Sequence, residues 1–471
     1  MNRRKFFKNG SLFTIGAAIV NPFEGAANVL DLKAANKNKK AKNIIFLVSD
    51  GMSTGTLNMT DLFLNRKNGK TSNWMQLYKE GKVTRALMDT ASASSIVTDS
   101  SAASSSWGGG FRVNNGTLNF SPQGEPHLPI WQKFKQSGKM AGCVTTVPIT
   151  HATPAGFCVN SKSRNAQETI AEQYLELGFD IMMGGGANYF SPELRKDKKD
   201  IFAAYTSKGY QVVKTKSEMD GASNSKPILG VFADDGLPYY VDRNNNENLK
   251  MSVPSLAEMA QKAIDRMKNH KNGFVLQIES GKVDWAAHGN DIAGLINDQI
   301  EFDEAIKVAI DFAEKDTETL VIITTDHGNA NPGIIYGKNA NDNFDSIQKY
   351  TQTNEWILNQ IKKDTSITEV KEIIEKANGH AVSDQEAKTV LGYYDGLYKD
   401  EGLYNYKKLP FKAFAEMQGK VNSVGWISMD HSADYVELAM YGPGSELLKP
   451  FVKNTDLHYL MLQAAEVENK F

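Results

Sequence analysis

An unbroken apolar run early in the chain, Asn43-Ile-Ile-Phe-Leu-Val-Ser49, stops abruptly at Asp50-Gly51. A strand with one wet face alternates apolar and polar residues. A continuous run instead predicts a parallel strand covered on both faces. Similar units recur downstream. Leu128–Ser137 reads as a helix ended by Gly138, with Met140–Thr146 as the following strand. Ala166–Leu177 is helical, and Phe179–Met183 is a strand closing on Gly184-Gly-Gly186. Ser255-Leu-Ala-Glu258 is a capping box, whose serine and glutamate each satisfy a free N–H of the first turn. Its helix runs to about His270. Strand Phe274–Ile278, a long helix near Asp291–Glu314 and strand Leu320–Thr325 complete the series. Helices alternating with apolar strands predict an α/β fold, a doubly wound and mostly parallel sheet sandwiched by helices.

Residues 331–425 break that rhythm. They are polar, with helical stretches at Thr368–Ala377 and Asp384–Leu391, and Tyr, Asn and Lys crowd the connections. The pattern predicts a helical subdomain inserted into one domain over residues 36–471. Residues 1–35 read as an address. Asn2-Arg-Arg-Lys-Phe-Phe-Lys8 resembles a twin-arginine export signal, followed by the mildly apolar Ser11–Val20, too short for a permanent anchor. Small residues at Gly25-Ala-Ala27 and Ala34-Ala35 both suit cleavage. A periplasmic or secreted protein is expected. No later segment has 18 consecutive apolar residues, so no anchor is expected after processing.

Composition narrows the function. The 471 residues carry a formal charge of −2, which argues against a nucleic-acid partner, since such proteins are normally strongly basic. Hydrophobic residues make up 41% of the chain, enough for an ordinary globular core. Two cysteines, Cys143 and Cys158, are too few for a zinc ribbon, so any metal must use His, Asp and Glu. They are either two small apolar fillers or one disulfide.

Three apolar strands end in acidic chemistry, and ligands of open α/β sheets bind beyond the carboxyl ends of strands. Asp50 follows the first strand. Glu279 follows the second, with Asp284 and His288 just beyond. Asp326 and His327 follow the third. Any one of these is common as a turn or cap residue; three strand ends of the same chemistry are not. Asp284 and His288 are four apart, so on a helical turn they face one side and can chelate one ion. His431, in Asp430-His-Ser-Ala-Asp434, would complete that site. Thr98-Asp-Ser-Ser-Ala-Ala103 puts a hydroxyl where a helix opens, an end that attracts phosphate; a plain helix cap is the alternative.

Taken in order, these segments resemble the alkaline phosphatase family. The series is Val48-Ser-Asp-Gly-Met52, Val97-Thr-Asp-Ser-Ser101, Ile149-Thr-His-Ala-Thr-Pro-Ala155 with Ser163-Arg-Asn165, and Gly184-Gly-Gly186. It continues with Ile278-Glu279, Val283-Asp-Trp-Ala-Ala-His288, Thr325-Asp-His-Gly328, and His431 leading to Tyr441-Gly-Pro-Gly444. The resemblance implies hydrolysis of phosphate monoesters at alkaline pH through a phosphoserine intermediate. It makes Ser100 the nucleophile and Arg164 the group that grips phosphate. Asp284, His288 and His431 would hold one zinc ion. Asp50, Asp326 and His327 would hold a second. Asp50, Thr153 and Glu279 would hold a third metal, usually magnesium. Homodimers are common in the family, though no interface is readable here.

The sequence also departs from the family. Ser101 stands where alanine is usual, so two hydroxyls are adjacent and only alignment favours Ser100. His151 and Trp285 stand where some members have Asp and Lys. His151 is a neighbour of the third site or itself a ligand. Trp285 either touches the phosphate and alters its release or simply packs. A phosphodiesterase on the same scaffold, or a non-catalytic phosphate-binding protein, are the competing readings.

Overall fold

The computed structural model describes residues 40–396 and 408–469. The export signal proposed for residues 1–35 lies outside them. Among the described residues, ten strands form the main sheet. In chain order they are β1 (Asn43–Ser49), β2 (Thr84–Asp89), β3 (Met140–Pro148), β4 (Ile181–Gly185), β5 (Gln211–Val213), β6 (Ile228–Val231), β7 (Phe274–Ser280), β8 (Thr319–Thr324), β9 (Val436–Tyr441) and β10 (Phe451–Lys453). Across the sheet they lie in the order β10-β2-β9-β8-β1-β7-β3-β4-β6-β5. Pairing is parallel except along β9, which runs antiparallel to both β2 and β8.

The apolar run of β1 has the predicted cause. Ile45 and Leu47 enter the core on one face of the sheet, while Ile44, Phe46 and Val48 enter the core on the other. Each such side chain contributes about 1.5–3 kcal/mol on full burial, so a polar residue between Ile44 and Val48 would face a dry core. The capping box at Ser255 opens the helix Leu256–Met267, with Glu258 closing back as expected. The strand expected at Phe179–Met183 starts two residues later, because Gly178 ends the preceding helix in a left-handed conformation and Asp180 still belongs to the turn. Cys143 and Cys158 are buried free thiols, so the disulfide alternative falls.

Register sets where the chemistry goes. Val48 lies opposite Glu279 on one side and Thr324 on the other, and Thr145 of β3 lies opposite Glu279. The carboxyl ends of β8, β1, β7 and β3 therefore reach the same rim. Asp50, Glu279 and Asp326 are delivered there by three adjacent strands.

Two flanking features matter for stability. Asp303, in the long helix Ile292–Asp316, accepts the backbone N–H groups of Asn73 (2.7 Å) and Trp74 (2.9 Å), at the start of helix Asn73–Lys79. It caps a helix from outside that helix. Asp303→Ala should therefore cost about 3 kcal/mol, as two N–H groups lose a charged acceptor. Urea unfolding would show this as a lower midpoint with an unchanged slope; an unchanged midpoint would contradict it. Within residues 354–422, Ile357, Leu358, Val370, Ile374, Val390 and Phe414 form a cluster separate from the two cores of the main sheet. Below that cluster, Gly333–Ile334 pairs with Val424–Gly425. Among the described residues, no helix is long and apolar enough to cross a membrane.

Candidate functional site

Ser100 is the first residue of helix Ser100–Gly109, and Asp99 caps it by accepting the N–H of Ala102 (2.9 Å). The helix is rich in Ser, Ala and Gly for a packing reason. It crosses helix Ala152–Cys158 so closely that a Cβ on Gly108 would lie 1.9 Å from the carbonyl oxygen of Gly156. That crossing sets the serine helix against the one bearing Thr153. Ser100 Oγ lies 3.3 Å from His327 Nε2. The neighbouring Ser101 points elsewhere, donating to both Asp99 oxygens (2.9 and 2.7 Å). Asp99 also accepts from Arg164 Nη1 (3.0 Å), while Arg164 Nη2 lies 3.2 Å from His151 Nε2.

Three histidines are held alike. Nδ1 of His288 meets the carbonyl of Met429 (2.6 Å), Nδ1 of His431 meets that of Thr98 (2.9 Å), and Nδ1 of His327 meets that of Gly328 (3.3 Å). A carbonyl only accepts, so Nδ1 must carry the hydrogen, and in each neutral ring Nε2 is left with a bare lone pair. Those lone pairs converge. Nε2 of His288 is 3.1 Å from Nε2 of His431 and 3.4 Å from Asp284 Oδ2. Nε2 of His327 is 3.5 Å from Asp50 Oδ1 and 3.2 Å from Asp326 Oδ2. The rings of His327 and His431 stack at 3.7 Å.

Among the described residues, three groupings have donor atoms within 4.8 Å of one another: Asp284, His327 and His431; Asp50, Asp326 and His327; and Asp50, His151 and Glu279. His288 stands at the edge of the first through its contacts with His431 and Asp284. Thr153 Oγ1 donates to Asp50 Oδ2 (3.2 Å), beside the last. Trp285 lies edge-on to His151, ring centres 6.2 Å apart.

Buried carboxyls crowd the site. Asp50, Glu279 and Asp326 are fully buried. Burial raises the pKa of each, and the neighbouring carboxylates raise those of Asp50 and Glu279 further. Burial pushes Asp284 upward too, but His288, His431 and His327 outweigh it and hold its carboxyl below the usual range. Burial lowers His327 well below an ordinary imidazole, and the proximity of His431 adds to this. Burial, then Arg164, brings His151 down to about 3. One oxygen each of Asp50, Glu279 and Asp326, and Nδ1 of His151, have no hydrogen-bond partner among the described residues. Burying ionised carboxylates this way costs several kcal/mol apiece unless a counter-charge is present. Imidazole Nε2 with carboxylate oxygen is a zinc donor set, and Asp50, Glu279 and Thr153 offer the oxygen donors that suit magnesium. The donor atoms present suit divalent cations, with His327 rather than His288 inside the first grouping and His151 inside the third.

The sequence model of the family described as alkaline phosphatase matches residues 41–467. The chain belongs to the alkaline phosphatase family. Alkaline phosphatase 4 of Bacillus subtilis is 31% identical over 97% of each chain. The alkaline phosphatase of Escherichia coli K12 is 29% identical over 69% of this chain and 80% of its own. Among solved structures, Thermus thermophilus alkaline phosphatase superposes with a TM-score of 0.84 at 33% identity, over 92% of each chain. The protein is thus a metal-dependent phosphatase that acts on phosphate monoesters.

Some of the site was not legible in the sequence. Asn329 Nδ2 donates to Asp284 Oδ1 (2.7 Å) and fixes that carboxylate; its position two after His327 was the available signal. Thr145 Oγ1 donates to Glu279 Oε2 (2.5 Å) from inside β3, where a buried threonine looks like any other strand residue. The carbonyls of Thr98, Met429 and Gly328 leave no side-chain signature at all.

Proposed function

We propose that this chain hydrolyses phosphate monoesters in two displacements at phosphorus, with Ser100 as nucleophile. The observation that carries the reading is Ser100 Oγ, at a helix N-terminus, 3.3 Å from His327 Nε2 and beside histidines whose lone pairs converge. Asp284, His288 and His431 would hold one zinc ion, Asp50, Asp326 and His327 a second, and Asp50, Thr153 and Glu279 a magnesium ion, and these would neutralise charge and make the serine hydroxyl more acidic. Deprotonated Ser100 Oγ attacks phosphorus, the ester P–O bond breaks, and the departing alkoxide takes a proton from water. A water molecule then attacks the phosphoserine, releasing inorganic phosphate and restoring the hydroxyl.

In this reading Arg164 binds two phosphate oxygens through its planar fork. Asp99, whose own carboxyl Arg164 helps hold below the ordinary range against burial, aims that fork. His151 takes the other side of the guanidinium and reaches the third metal group. Trp285 walls the phosphate pocket through His151. Because the serine must lose its proton, activity rises toward alkaline pH. In the same reading, residues 1–35 export the protein to the periplasm or medium by the twin-arginine route, and residues 331–425 are an insert in the catalytic domain of 36–471. The separate apolar cluster within 354–422 supports the insert.

Hydrolysis of an aryl phosphate by the purified protein tests this between about pH 7 and 10. Chelation should cut the rate at least about 100-fold, and zinc with magnesium should restore it. No turnover in any metal state would overturn the reading. Faster turnover of an aryl diester than of the monoester would favour the phosphodiesterase alternative.

A further inference from the structure

A cleft of about 470 Å3 opens next to the histidine cluster, at the base of residues 331–425. Ile335, Tyr336, Trp426 and Ile427 form its apolar walls, and Lys412, Glu416 and Lys420 line it with charges of both signs. Three wall residues are unusually bare for their type: Ile335 is 58% exposed, Ile427 81% and Tyr336 fully. An exposed apolar patch around a cleft marks a binding surface more often than scattered apolar residues do, and the volume falls in the roughly 300–1,000 Å3 range of small-molecule pockets.

The walls are wired into the site. Met429 lines the cleft, and its carbonyl holds Nδ1 of His288. Ile427 N–H donates to Ala330 O (3.0 Å), and Ala330 N–H to Asp430 O (3.0 Å), so the wall strand is stitched to the segment leaving His327. Just beyond, His431–Ser432 pairs with Gly328–Asn329. The cluster is not uniformly enclosed. The side chains of His288 and His431 are each 17% exposed, whereas those of Asp50, Asp326 and His327 are fully enclosed. In an in-line displacement the leaving oxygen lies opposite the nucleophile. The alcohol therefore departs on the side away from Ser100, and through Met429 the cleft adjoins His288.

We propose that this cleft is the subsite for the alcohol part of the ester and selects flat, apolar, aromatic alcohols. The inference rests on the monoesterase reading above. A second cleft, of about 430 Å3, flanks Trp285. Two of its aromatic faces are already used, since Lys282 Nζ lies 3.6 Å from the Tyr239 ring and 4.6 Å from that of Trp285. Asp235, Asp242 and Glu355 also line it and disfavour an approaching phosphate ester.

The test compares 2-naphthyl phosphate with methyl phosphate on the metal-loaded full-length enzyme. Tyr336→Ser with Ile427→Ser changes two exposed side chains and should leave the fold intact, as a matching melting curve would verify. The double variant should lose about tenfold or more in kcat/KM for the naphthyl ester and less than about twofold for the methyl ester. Equal effects on both esters, or no effect on either, would overturn the subsite. So would a loss confined to the naphthyl ester in Trp356→Ala, in the second cleft, with the double variant unchanged. If the unsubstituted enzyme turns over neither ester, the monoesterase reading fails and takes the subsite with it.

Discussion

Ser100→Ala is expected to lower kcat/KM for an aryl phosphate by about 1,000-fold or more, while Ser101→Ala changes it by less than about tenfold. Two adjacent hydroxyls open the same helix, and they differ in what holds them. Ser101 donates to both oxygens of Asp99 and accepts the N–H of Gly116 (3.1 Å), so its lone pairs and proton are engaged in the cap. Ser100 faces His327 Nε2. Removing Ser101 leaves Asp99 with Arg164 and the Ala102 N–H, so the phosphate grip survives. In the proposed reading, removing Ser100 takes away the atom that would receive the phosphoryl group. Steady-state kinetics on both variants decides the matter. An active Ser100→Ala beside an inert Ser101→Ala would reverse the assignment.

The second large effect is expected at His327. Its Nε2 belongs to two of the three donor groupings, and it also approaches Ser100. His327→Ala should reduce activity by about 1,000-fold or more, and bound zinc should fall from about two to about one per chain or less. Elemental analysis after dialysis measures the zinc. Ser100→Ala supplies the contrast, because it should keep its metals. A His327→Ala protein with full zinc content would show that His327 is no ligand.

Legibility in the sequence followed burial. β1, β7 and β8 are covered on both faces and read as mainly apolar runs, interrupted in β7 by Gln277, which is why their ends, and the acids on them, were found. β2 and β9 were not. In β2, Ala86 and Met88 are buried while Arg85 and Leu87 are exposed, so the run looks like a polar surface segment. β5 and β10 have three residues each, too few for any periodicity. Asp303 is a related case. A buried aspartate in mid-helix carries no sign that it caps another helix. In the site, ionisable side chains were recoverable from their place after strands. The three carbonyls that set the histidine tautomers were not, because a backbone acceptor depends on the path of the chain and not on the residue that bears it.

The pairing of β1 with both β7 and β8 has a consequence for how the molecule assembles. Gly51 N–H reaches Asp326 Oδ1 across 275 positions of chain, at 2.9 Å. Until loops of that length close, the acids at these strand ends are far apart, hydrated and indifferent to one another. Entropy charges little extra for the length, but non-local pairing is slow. The repulsion among the carboxylates arrives only when the central strands dock, late in folding. A divalent cation captured at that moment would act on the last step: it would lower the final barrier and slow the reverse reaction, so that the same ions that serve catalysis would latch the finished sheet.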